Sequence, residues 1–157
     1  MRNKQKGFSL IELLIVVAII LIIAAIAIPN LLRSKMAANE ASAVASLRTF
    51  NTAIVAYQTT YGTDPDTGFA QLGPSATPSL AAADLVDNLL GLDPAVKSGY
   101  TMTYTPGGGT PITTYTIIAT PVSASTGQRY FYTDQSGVIR QTTDGTAPTA
   151  SSTPIGG

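Results

Sequence analysis

Lys6-Gly7-Phe8-Ser9-Leu10-Ile11-Glu12 is where this chain concentrates residues able to do chemistry: a short basic leader meets a glycine and then an apolar run carrying one carboxylate near its start. Cutting after Gly7 would create a free α-amino group on Phe8, about one helical turn from Glu12. From Leu13 to Leu32 no side chain ionises. At about 1.5 Å per residue that stretch reaches roughly 30 Å, the thickness of a bilayer core. An ionised carboxylate within such a segment costs on the order of 2.5–3.5 kcal/mol at mid-membrane and less near an interface. Glu12 therefore needs a cation, and the span holds no lysine or arginine.

The other candidate chemistry is sparse. Without histidine or cysteine, Ser-His and Cys-His nucleophiles, thiolate zinc sites and imidazole metal sites are excluded. Two carboxylate pairs remain, Asp64 with Asp66 and Asp84 with Asp87, in a turn-rich loop and an expected short helix where solvation is their ordinary fate. Asp64-Pro65-Asp66-Thr67-Gly68 resembles part of a calcium loop but lacks the later acidic ligand. Gly107-Gly108-Gly109 is not a phosphate loop, since no lysine and helix follow. The sequence thus points to no catalytic residue, no metal site and no cofactor. Losing Arg2, Lys4 and Lys6 leaves six basic side chains against nine acidic, or −3. Arg33, Lys35 and Arg48, with Glu40 among them, read as a solvated or headgroup-facing helix surface, and no specific nucleic acid is expected.

These residues need a rod to position them. Arg2, Lys4 and Lys6 precede the apolar span with no acid among them, which keeps the start of the chain cytoplasmic and sends the rest out. The helix is expected from Phe8 to about Tyr61, with Pro29 kinking or loosening it. Leu47, Phe50, Ile54, Tyr57 and Tyr61 form an apolar stripe at three- and four-residue steps. Alanines at 37, 38, 41, 43, 45, 53 and 56 favour helix and keep its surface thin. Gly62 stands at the C-cap position.

The remainder is a small head. Residues 62–99 form a connector with a short amphipathic helix expected over Ser79 to Leu90, carried by Leu80, Leu85, Leu89 and Leu90. Within 100–141, Tyr100 to Tyr104, Tyr115 to Ala119, Tyr130 to Tyr132 and Val138-Ile139 read as strands, the last two a hairpin turning at Gly137. Residues 142–157 read as a flexible tail. The expected class is α+β, a long N-terminal helix against three to four antiparallel strands. Seven tyrosines and four phenylalanines supply its core. With no cysteine to form a bridge, stability must come from packing on the helix, from neighbours in an assembly, or from a metal.

Lys6-Gly7-Phe8-Ser9-Leu10-Ile11-Glu12-Leu13-Leu14-Ile15-Val16-Val17, with Ala27-Ile28-Pro29-Asn30 after it, resembles the N-terminal signature of the type IV pilin and type II secretion pseudopilin superfamily. The resemblance covers about the first sixty residues. It implies a ladle-like fold, with 1–7 a leader peptide, 8–32 the transmembrane and assembly half of the helix, 33–61 its amphipathic half and 62–99 the αβ loop. It further implies that a prepilin peptidase cuts between Gly7 and Phe8 and methylates the new amine of Phe8. Glu12 would then pair with a neighbouring subunit's amine during filament assembly, and Pro29 would be the helix-kink position. Implied partners are identical subunits, the peptidase, an inner-membrane assembly platform and membrane lipid before assembly. Many pilins close the C-terminal region with a disulfide, and this sequence departs from that pattern.

The favoured reading is a non-enzymatic pilus subunit, held in the bacterial inner membrane and then at the cell surface. A secretion pseudopilin would share the N-terminus, but the Thr/Pro/Gly-rich ending offers no obvious calcium site of the kind that family's major members usually carry. An ordinary signal peptide would use Ala25-Ile26-Ala27 as its A-x-A site, yet it leaves an acid inside the apolar run. A plain uncleaved anchor leaves Glu12 unexplained, and a membrane-anchored enzyme or binding protein would be a monomer that keeps its activity once residues 1–35 are removed.

Overall fold

The computed structural model describes residues 8–156. One helix, α1, runs from Leu10 to Tyr61. The chain divides into two compact units, Met1–Lys35 and Met36–Gly157.

In the first unit, α1 continues unbroken through Pro29. Its isoleucines and valines are indifferent helix formers in water, but in lipid every backbone N–H and C=O must bond within its own segment, and a helix does that. Leu13, Ile20, Ile26 and Leu31 are all exposed, and the segment is long and apolar enough to cross a membrane by length and composition.

In the second unit, the outer part of α1 turns its stripe inward. Leu47, Phe50, Ile54 and Tyr57 are at most 1% exposed, and Tyr61 packs against the same cluster. Gly62 ends the helix at φ 75°, a left-handed angle that costs glycine little.

The stripe packs on an antiparallel sheet of six strands in sequence order: β1 Ala95–Lys97, β2 Tyr100–Pro106, β3 Tyr115–Pro121, β4 Tyr130–Asp134, β5 Arg140–Thr142 and β6 Thr153–Pro154. Period-two alternation places Tyr100, Met102 and Tyr104 of β2, and Tyr115, Ile117 and Ala119 of β3, in the core. The register sets Met102 opposite Ala119 and Tyr104 opposite Ile117, large beside small or branched. Phe69 stacks on Phe50, with centroids 3.9 Å apart and planes at 17°.

Six strands replace the expected three or four, and each difference has a local cause. β1 arises inside the connector, where Val96 pairs with Thr101. The final hairpin strand is Arg140–Thr142 rather than Val138-Ile139. Gly137 turns at φ 72° as expected, but Ile139 is buried and gives its carbonyl to the Ile155 N–H at 2.9 Å. That contact and β6 lie in the segment read as a flexible tail, where Pro148 is buried and Ile155 packs against the core. The short helix over Ser79 to Leu90 does not form. The N–H groups of Ala83, Asp84, Leu85 and Val86 donate instead to carbonyls of Gln71, Gly73 and Leu72, which removes them from an i→i−4 ladder. Leu80 and Leu89, expected inward, are about half exposed. The short helical turn of this connector is a 3-10 helix at Phe69–Leu72.

Candidate assembly site

The helix start is built by two hydrogen bonds. Leu13 N–H reaches the Ser9 carbonyl at 3.3 Å, making Ser9 the N-cap. Glu12, three residues on, bends back so that its Oε2 accepts from the Ser9 backbone N–H at 2.9 Å. This is the reach-back half of a capping box. Phe8 and Ser9 precede the helix, and the Phe8 side chain is 81% exposed. Gly7, the other side of the expected cleavage bond, lies outside the described residues.

Glu12 stands near the start of an exposed apolar surface that includes Leu10 and Ile11 and runs along α1 past Pro29 to Leu32. Pro29 has no N–H, so the carbonyl one turn earlier, on Ala25, loses its helical donor there. The chemistry available at this end of the chain is a negative charge, an apolar rod and a backbone weak point. Ser9 is absent from the sequence-level candidates, although the Ser-x-x-Glu spacing of Ser9 and Glu12 was its visible signal.

The basic cluster separates into individual roles. Arg33, Lys35 and Arg48 are exposed, whereas Glu40 is only 8% exposed. Its Oε1 accepts from the backbone N–H groups of Gln128 and Arg129 at 2.9 and 3.2 Å, and its Oε2 from Arg129 Nε at 2.8 Å. Burial works against the ionised form, but these donors and the Arg129 charge outweigh it and hold the carboxyl below its ordinary value. Arg129 Nη1 continues to Gln141 Oε1, its carbonyl accepts from Tyr100 OH, and Asn39 Nδ2 donates to Thr126 O. The loop between β3 and β4 is thereby clamped to α1. A partner 89 positions away gives no local signal in sequence.

The two carboxylate pairs diverge. Asp64 is buried, which pushes its carboxyl up, while Asp66 is exposed. The segment is not arranged as a cation loop. Asp66 and Thr67 N–H groups both donate to Gln71 Oε1 at 2.7 and 3.0 Å, and the Pro65 carbonyl is taken by Tyr104 OH at 2.8 Å. Asp87 accepts from the Leu90 and Leu89 N–H groups and pairs with Lys97 Nζ at 3.1 Å, which lowers its pKa. Asp84 sits exposed at a positive φ of 55°. Neither pair is a matched acid and base. Among the described residues, no group of three or more acidic side chains is placed to hold a metal ion. Gly107 closes the β2–β3 turn by donating to the Thr114 carbonyl at 2.7 Å.

Residues 2–28 match the family described as the prokaryotic N-terminal methylation motif. Over 47 residues the chain is 60% identical to the type IV wide pilus major component PilA4 of Thermus thermophilus, a match covering 30% of this chain and 35% of that protein. The chain thus spans about a third of the length of the curated relative it matches. No solved structure matches it.

Proposed function

We propose, from the N-terminal methylation motif and the likeness to a type IV pilus component that its N-terminal segment carries, that this chain belongs to the type IV pilin superfamily and is the structural, non-enzymatic subunit of a type IV pilus. It is inserted in the inner membrane with its basic leader in the cytoplasm, cut between Gly7 and Phe8 by prepilin peptidase, methylated on Phe8 and delivered by an assembly platform to a surface filament. The observation that carries this reading is Glu12, a carboxylate in the first turn of a helix that stays uncharged to Leu32.

The energetics are an exchange of surroundings. The apolar face of α1 leaves lipid for neighbouring helices and stays out of water, so the hydrophobic term changes little. Glu12 gains most, because a neighbour's amine supplies the opposite charge that lipid lacks. A misregistered helix leaves that charge unpaired, so pairing selects register. Pro29, in this reading, is where the rod yields when it packs among others. The matched relative's name, a pilus major component, favours a pilus over a secretion pseudopilus.

Mass analysis of the native N-terminus, with microscopy of sheared surface material, tests the proposal. The expected result is a mature chain starting at N-methylated Phe8 and present in fibres. A different start, or a native chain that never enters fibres, overturns it. Glu12→Ala should leave insertion and cleavage largely intact and abolish most fibres, whereas Gly7→Leu should block cleavage.

A further inference from the structure

The filament reading treats Glu12 as an acid waiting for its cation, yet the structure gives it a partner already. Ser9 is fixed as N-cap by the Leu13 N–H to Ser9 carbonyl bond, and independently its own N–H is held by Glu12 Oε2. The first N–H groups of a helix have no partner within it, and they carry the positive end of its dipole. Both facts favour a carboxylate folded back over the helix start. In an apolar medium an unbonded N–H and a bare carboxylate are each costly, and a single contact relieves both.

We propose that Glu12 is held in cis before assembly, its carboxylate capping the Ser9 N–H of its own helix, and that joining a filament exchanges this donor for the Phe8 amine of a neighbour. The exchange rests on the filament reading above; the cis cap does not. Ser9 is then a positioning residue. Its N–H keeps the carboxylate folded back over the helix start. Assembly replaces one hydrogen bond by an ion pair, so its driving force is the difference between two satisfied states. No covalent step is involved.

Glutamine separates the two roles of Glu12, since its side-chain oxygen can still cap at this position while its charge is gone. In the full chain in detergent micelles, Glu12→Ala should speed hydrogen exchange of the Ser9 amide at least about tenfold, the lower end of what losing one hydrogen bond to a charged acceptor implies. Glu12→Gln should retain most of the protection. Equal Ser9 exchange in wild type and Glu12→Ala overturns the cis cap, whatever the fibres do. In labelled wild-type protein, magnetic-resonance contacts from the Glu12 carboxyl carbon should run to the Ser9 nitrogen in micelles and to a neighbour's Phe8 nitrogen in fibres. A Ser9 contact that persists unchanged in fibres overturns the exchange. Wild type that forms no fibres overturns the filament reading and the exchange, and leaves the cis cap to be judged by the micelle measurements.

Discussion

Replacing Glu40 by alanine removes three hydrogen bonds from a residue that is 8% exposed. Two of the stranded donors are backbone N–H groups of Gln128 and Arg129, and a buried donor left without an acceptor costs about 1–3 kcal/mol. The ion pair adds less, because the Arg129 side chain is 39% exposed and pairs screened by solvent are worth about 0–1 kcal/mol. Both backbone contacts are part-buried, so water relieves some of the loss and the lower half of the range applies. The expected total is about 2–4 kcal/mol for Glu40→Ala and about half that for Glu40→Gln, which keeps acceptor capacity without charge. Urea unfolding of the full chain in micelles, followed by tyrosine near-ultraviolet circular dichroism, reads the difference at pH 7. The effect has a pH signature. The Glu40 carboxyl is held below its ordinary value in the folded state, so its contribution is present above the unfolded pKa and lost as pH falls through the folded one. The gap between wild type and Glu40→Ala should therefore be full at neutral pH and narrow as acid takes the pH below the ordinary carboxylate range. A difference under about 0.5 kcal/mol at pH 7, within the range of ordinary surface changes, refutes the clamp.

Asp64 should behave in the opposite sense. Burial raises its carboxyl, so no cost arises below the unfolded pKa, and destabilisation builds as pH rises through the folded one; Asp64→Asn is expected to raise the urea midpoint at pH 7 and leave it unchanged near pH 3. Gly68 sits at φ 119°, and an added Cβ would run into the Asp93 carboxylate; Gly68→Ala should cost at least about 2 kcal/mol through strain and overlap, seen as a lower thermal midpoint. Tyr57 OH donates to the Leu80 carbonyl at 2.6 Å and accepts from Gln71 Nε2 at 3.2 Å, while Gln71 Nε2 also donates to that carbonyl at 3.3 Å; Tyr57→Phe leaves those two paired with each other and should cost about 0.5–1.5 kcal/mol, and its unfolding curve should keep the wild-type slope.

Legibility in the sequence followed the range of the interaction. The rod was readable because its signals are local: an uncharged run, a stripe at helical spacing and Gly62 at the stop. β2 was readable because it alternates within itself, β3 because its run is β-branched and apolar, and β4 because Tyr130, Phe131 and Tyr132 lead into the turn at Gly137. The missed features are long-range or nearly side-chain-free. Over Ser79 to Leu90, leucine spacing suggested a helix, but the carbonyls of 71–73 compete for the same amides, and no periodicity count includes that competition. β6 is two residues long, too short to alternate, and is held by its pairing with β5. Thr133 shows the converse case: fully buried although polar, it is explained by Asn51 Nδ2, which donates to its Oγ1 at 2.9 Å. At the N-terminus the expected role of Glu12 drew attention outward to a partner, while the partner three residues away was spelled by Ser9.

A cysteine-free head must close its long excursions in another way. Between Glu40 and Arg129 lie the connector and three strands, an excursion of 89 positions. In the chain-entropy account a disulfide closing a loop of that size is worth about 4–5 kcal/mol. The Glu40 clamp supplies about 2–4 kcal/mol by the hydrogen-bond reasoning above, so it falls short of a covalent bridge. A second closure stands at the end of the chain, where Arg140 Nη1 donates to the Ser152 carbonyl at 3.0 Å and the Ile155 N–H to the Ile139 carbonyl. Each closure joins a polar contact to an apolar one: Tyr100 and Phe131 lie in the core beside the first, and Ile155 packs on the core at the second. A noncovalent closure forms only once its flanking core has formed, whereas a disulfide also constrains the unfolded chain. The head therefore depends on cooperative packing against α1 for stability that a bridge would have supplied independently. Glu12 and Glu40, in the two units of the chain, share one energetic logic: a carboxylate accepts backbone N–H groups that would otherwise be left without a partner.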